Sequence, residues 1–114
     1  MERVYTFVFP AGAGPAIEAA DITLDNTGDA MFIDAWQTGG ASNLYLIGAT
    51  SGETLTMDQA FTKLNALADV LCVIPAGSSA RRRLPPDVAR LTVFAESAVG
   101  AGQSQAATVR VFSE

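Results

Sequence analysis

Nowhere in this 114-residue chain does an apolar run go far before a turn former stops it. Residues 4–9, 22–24, 31–36, 44–47, 70–74, 91–95 and 109–111 are short and rich in aliphatic, β-branched and aromatic side chains, and 80–84 adds a more polar stretch of alternating character. Between them lie Pro10-Ala-Gly-Ala-Gly-Pro15, Asp25-Asn-Thr-Gly-Asp29, the loop 37–42, Pro75-Ala-Gly-Ser-Ser79, Pro85-Pro86-Asp87 and the Gly/Ser stretch 98–105. Segments this short suit strands that pair and pack in two layers. The expected fold is mainly β: a single antiparallel β-sandwich or jelly-roll-like domain over residues 1–114, with about eight short strands.

Local patterns set finer expectations. Residues 4–9 are apolar on both faces, as in a strand covered on both sides. The stretch 17–24, the turn residues 25–29 and the strand 31–36 read as a hairpin. In 91–96, Leu91, Val93 and Ala95 alternate with Thr92, Phe94 and Glu96, the pattern of a half-buried strand. Residues 70–74 form a continuous buried strand, and Val109 and Val111 flank Arg110 in a closing one. The core so placed is Phe7, Ile22, Leu24, Ile33, Leu46, Val73, Leu91, Val93 and Val109. One segment has another period: Met57, Phe61, Leu64 and Ala68 recur at helical spacing, with Leu67 and Leu71 near the same face. Thr56 and Gln59 have the spacing of a capping box, and Asp58 suits the first turn. A short helix over 57–69 is expected, closing one open end of the sandwich.

Hydrophobic residues make up 49% of the chain and charged ones 17%, so Gly, Ala, Ser and Thr must cover much of the surface. Such a surface is weakly hydrated and suits packing against neighbouring subunits. The net charge of −5 is uneven. Residues 1–79 set Arg3 and Lys63 against nine carboxylates, a balance of −7, while residues 80–114 set five arginines against three carboxylates, a balance of +2. An acidic body with one basic strip lacks the broad basic face of a nucleic-acid binder. It suits contacts between copies of one protein. The one cysteine, Cys72, allows no intramolecular disulfide and fits a reducing cytoplasm. The apolar run before Pro10 is too short for a signal peptide, and no stretch reaches membrane-spanning length. Asn26, Asn43 and Asn65 lack the hydroxyl residue two places on that glycosylation requires.

Chemistry is limited first by the absence of histidine. That removes Ser-His-Asp and Cys-His catalysis and most transition-metal sites. No catalytic, cofactor-binding or metal-ligating residue is assigned. Cys72, inside Val-Leu-Cys-Val-Ile, reads as a small buried hydrophobe. Gly12-Ala13-Gly14 lacks the third glycine of a dinucleotide loop, since Ile17 holds that place. Asp25-Asn-Thr-Gly-Asp29 has Asn26 where an aspartic protease needs its carboxylate. As an EF-hand it fails at Ala30 and Trp36, leaving Asp25 and Asp29 open only to a surface calcium contact. Arg81-Arg82-Arg83 is the most unusual run. In a strand, Arg81 and Arg83 share one face and Arg82 points the other way, so Arg82 must lie at an edge or meet an acidic partner. Arg81, Arg82, Arg83 and Trp36 are the candidate partner-binding residues. Trp36 and Tyr45, flanking an amide-rich loop, would also suit a carbohydrate platform, but a tryptophan at a strand end reads first as core or interface packing.

Three segments carry a family likeness: Asp21-Ile-Thr-Leu-Asp-Asn-Thr-Gly-Asp-Ala30, Ile74-Pro-Ala-Gly-Ser-Ser-Ala80 and Arg90-Leu-Thr-Val-Phe-Ala95. Their pattern resembles the small β-sandwich virion proteins of tailed bacteriophages, the capsid decoration (cement) proteins and other head or tail accessory subunits. The resemblance implies a homo-oligomer, often a trimer, clamped over capsid subunits and in contact with other virion or assembly proteins, without catalysis or cofactor. It places the protein in the virion after synthesis in the host cytoplasm, with no nucleic-acid or membrane partner. The helix at 57–69 is no part of it. The alternative from a different class is a ligand- or carbohydrate-binding sandwich using Trp36 and Tyr45.

Overall fold

The computed structural model describes residues 2–9, 16–22, 30–38, 43–50, 53–67, 69–75, 78–95 and 105–113. Along them run strands β1 (Glu2–Phe9), β2 (Ala16–Asp21), β3 (Met31–Thr38) and β4 (Leu44–Ala49), then helix α1 (Met57–Ala66). Strands β5 (Val70–Ile74), β6 (Ser79–Arg83), β7 (Arg90–Ala95) and β8 (Gln105–Ser113) complete the chain. They form two four-stranded antiparallel sheets, sheet A in the order β1-β8-β3-β6 and sheet B in the order β2-β7-β4-β5. The mainly β sandwich with one short helix is the fold that the punctuation of the sequence implies.

Alternation along each strand decides which side chains meet between the sheets. Sheet A contributes Phe7, Phe9, Ile33, Ala35, Ala107, Val109 and Val111, and sheet B contributes Leu44, Leu46, Cys72, Ile74, Leu91, Val93 and Ala95. Each large side chain buried there contributes about 1.5–3 kcal/mol. Two glutamines cross this layer without leaving polar atoms stranded. Gln105 Nε2 donates to Gln37 Oε1 at 2.6 Å, and Gln37 Nε2 donates to the Ile74 carbonyl at 2.6 Å, tying β8 and β3 to β5.

Helix α1 starts where its capping box places it. Thr56 Oγ1 accepts from the Gln59 amide at 3.2 Å while Gln59 Oε1 accepts from the Thr56 amide at 2.9 Å. It stops earlier than the expected 69, because Leu67 turns left-handed at φ 54° and Asp69 follows at φ 60°. Leu67 accordingly lies 76% exposed, off the apolar face. Ala68 is outside the described residues. The helix does not close an end of the sandwich. Met57, Ala60, Phe61 and Leu64 lie instead on the outer face of sheet B, against Ile47 and Phe94. The Phe61 and Phe94 rings meet edge to face at 4.9 Å.

That cover corrects the half-buried pattern of 91–96: with α1 outside and the core inside, β7 is buried on both faces from Leu91 to Ala95. The expected hairpin is absent, since β2 pairs with β7 in sheet B while β3 pairs with β8 and β6 in sheet A. The chain changes sheet between them, and its turn residues 25–29 lie outside the described residues. Val73 is 40% exposed on the edge strand β5, while Cys72 and Ile74 face inward. Of the other expected core positions, Ile22 packs half-buried against the core and Leu24 is outside the described residues. Residues 4–9 are not covered on both sides either. Strand β1 is an edge, with Val4 58% and Val8 55% exposed.

Candidate functional site

Sheet B has its helix, whereas among the described residues no element packs on the outer face of sheet A. Register arranges that face in transverse rows running from β1 through β8 and β3 to β6. The first row is Glu2, Phe112, Phe32, Arg83, and the second is Val4, Arg110, Asp34, Arg81. The third is Thr6, Thr108, Trp36, Ser79, and a fourth continues as Val8, Ala106, Thr38. Aromatic and aliphatic groups thus share an uncovered surface with charges, the combination found at protein–protein contacts.

Asp34 is the centre of the charges. Arg81 grips it with two hydrogen bonds, Nε to Oδ1 at 2.6 Å and Nη2 to Oδ2 at 2.9 Å. Arg110 Nη2 reaches Asp34 Oδ2 at 2.7 Å, and Arg110 Nη1 reaches Glu2 Oε1 at 2.8 Å. The Arg81 hydrogen bond, with Arg110 behind it, holds the Asp34 carboxyl below its ordinary range against the opposing effect of burial. The Asp34 and Glu2 hydrogen bonds raise Arg110 in turn. Phe112 lies beneath both guanidiniums, its centroid 4.2 Å from Arg110 Cζ and 5.2 Å from Arg81 Cζ, and 5.9 Å from the Phe32 ring. Cation–π contact and bidentate pairing both fix arginines in place.

The three arginines of β6 therefore have different surroundings. Arg81 is held on the face. Arg82 stands opposite Ile33 and so on the inward side of the sheet, yet it remains exposed at the edge, with Nη1 donating to the Arg81 carbonyl at 2.9 Å. Arg83 stands at the corner of the outer face, and among the described residues it has no ion pair. Trp36 joins Arg81 and Arg83 on this face, half-buried between Thr108 and Ser79. Tyr45 does not, since it packs beside Ile47 and Phe94 on the far side of the molecule. A carbohydrate platform built from both rings is not assembled. Asp34, Arg110 and Phe112 are the members that sequence reasoning missed; the alternation of charge with aromatic residues in 32–36 and 110–112 was the available signal.

A cleft of about 260 Å³ is lined by Gly48, Leu71 and Val88 together with Glu53, Asp69 and Asp87. Asp69 there pairs with Lys63, which raises the ammonium pKa. Among the described residues, no three His, Cys, Asp or Glu side chains are placed to hold a metal ion. Asp25 and Asp29 are outside those residues. Cys72 is buried between the sheets, and burial pushes its thiol up to about 11. Among the described residues, no helix is long and apolar enough to cross a membrane.

No protein-family model matches the chain, and no curated protein does. Among solved structures it is similar to a chain from Bacillus endospore appendages, described as a novel family of disulfide-linked pili. Identity is 16%, 99% of this chain and 87% of that one are covered, and the TM-score is 0.42. A likeness of that size carries nothing about function, which rests on the residues themselves.

Proposed function

We propose that this chain is a non-enzymatic structural subunit that acts by associating with copies of itself and with other assembly proteins. The observation that carries this reading is the outer face of sheet A, which no described element covers and where Val4, Val8, Phe32, Phe112 and Trp36 lie among charges that are mostly paired already. Arg81, Arg83 and Trp36 belong to the contact surface, and Arg82 bounds it at the edge. In its finer form the subunit is a capsid decoration or accessory protein of a tailed-bacteriophage virion, supported by the three quoted segments. The test is solution mass by sedimentation, across protein concentration and salt. The wild type is expected to associate, Arg83→Ser to associate less, and raised salt to weaken the wild type in the same direction. A wild type that stays monomeric at every concentration, and is absent from purified particles, overturns the reading.

A further inference from the structure

Resting on that self-association, we infer that the outer face of sheet A stacks on the same face of a second copy, about a two-fold axis that runs along the strands between β8 and β3. A two-fold contact sets each residue against its symmetry mate's position, so the pattern of the face must match its own reflection. An axis along the strands exchanges β1 with β6 and β8 with β3 within each row. The first row then places Arg83 over the other copy's Glu2 and Phe112 over its Phe32. The second places Arg110 over Asp34, and the third places Thr108 over Trp36. Opposite charges meet, and aromatic rings meet aromatic rings. An axis across the strands would set Glu2 on Val8, Phe112 on Ala106 and Asp34 on Trp36, and all of these matches would be lost.

Size and desolvation agree with this arrangement. Three strands of eight or nine residues and the five-residue β6, about 4.8 Å apart, give two faces that bury about 900 Å² together, the size of a weak, reversible contact. Twisted sheets stack about 30° from parallel, which keeps the β8 and β3 pairs nearest the axis in register and leaves the corner pair of Glu2 and Arg83 to the reach of the long arginine side chain. Covering the face strands no carboxylate, because Asp34 already accepts from Arg81 and Arg110, and Glu2 from Arg110. The contact is closed, giving a dimer where the family resemblance implied a trimer.

Charge exchange between Glu2 and Arg83 tests it. Within one chain these residues stand three strand spacings apart, about 14 Å, beyond ion-pair reach. Glu2→Arg and Arg83→Glu should each weaken dimerisation about tenfold, because symmetry makes every change twice. The double variant should recover the part of that loss that lies between copies, while the in-chain pair of Glu2 with Arg110 is lost in both Glu2→Arg and the double variant. Trp36, the chain's one tryptophan, should shift its emission to the blue as concentration drives association. Far-UV circular dichroism checks the fold of each variant. Should either single variant misfold, exposed Val4 gives a second route, since it would face the other copy's Arg81. Val4→Arg should weaken the dimer and Val4→Glu should not. If the wild type associates but the double variant recovers nothing and Trp36 emission is constant, this face is not the contact and the inference falls while self-association stands. If the wild type never associates, both fall.

Discussion

Asp34 shows how much one side chain can organise. It sits on a strand between two arginines that are 47 and 76 positions away in sequence, and it orders both of them. Asp34→Asn keeps the shape but removes the charge, leaving Arg81 and Arg110 with a weaker acceptor, and should cost about 1–2 kcal/mol in urea unfolding at neutral pH. Because its folded pKa is lowered, Asp34 contributes stability above the unfolded value of 3.8 and loses it as pH falls through the folded one. The gap between variant and wild type should therefore shrink below about pH 3.8; a gap that holds constant in acid would mean the charge is not its source. Cys72 has the opposite sign. Its thiol rises from 9.0 to about 11, so the contribution is complete below pH 9 and is lost as pH climbs through 11. The wild type should lose on the order of 2 kcal/mol between pH 8 and 11 through this group, a slope that Cys72→Ala lacks. Thiol reagents should label the native protein slowly at pH 7. Burial of Cys72 was legible from its apolar flanks. The role of Asp34 was not, since its partners are brought together only by strand pairing.

At the level of elements, what the sequence discloses depends on how local the cause is. The start of α1 is legible because Thr56, Gln59 and the helical spacing all lie within a few turns of chain. The inward parity of β5 is hidden by an all-apolar run, so Val73 and its neighbours could not be told apart. The supposed hairpin of β2 and β3 fails for a similar reason: turn residues announce a turn but not the sheet the chain enters next. Gly48 of β4 shows a constraint that neither propensity nor pattern carries. A methyl group there would lie 2.8 Å from Val88 Cγ2 and 3.3 Å from Leu71 Cδ2, so a stiff branched side chain would have to move. Gly48→Ala should cost about 1–3 kcal/mol, against the gain of about 0.4–1 kcal/mol that a glycine replacement brings where there is room. The midpoint of urea unfolding measures it, and an unchanged or higher midpoint would show that Val88 gives way freely.

At the scale of the whole molecule, a two-sheet sandwich has four edges, each able to template another strand. Three carry a charge on the inward-facing side: Arg3 opposite Val111 on β1, Glu18 opposite Val93 on β2, and Arg82 opposite Ile33 on β6. Such a charge stays solvated only while the edge stays open, and a strand docking beside it would draw it into the layer between the sheets. The fourth edge, β5, has no charge of its own, but Arg82 is near enough to act on Cys72 within it. On this side Arg82 is the inward-side charge among the described strand residues. It leaves the outer face of sheet A as the contact that can close on itself, whereas edge-to-edge pairing would run on without limit. Arg82→Val should open that route, giving light scattering that grows with time and concentration beyond any discrete species. Arg82→Lys, which keeps the charge at the edge, should scatter like the wild type. The valine is compatible with the fold, since position 82 is exposed and β-branched residues suit strands. If Arg82→Val remains as monodisperse as the wild type, the β5–β6 side is protected by something other than this charge.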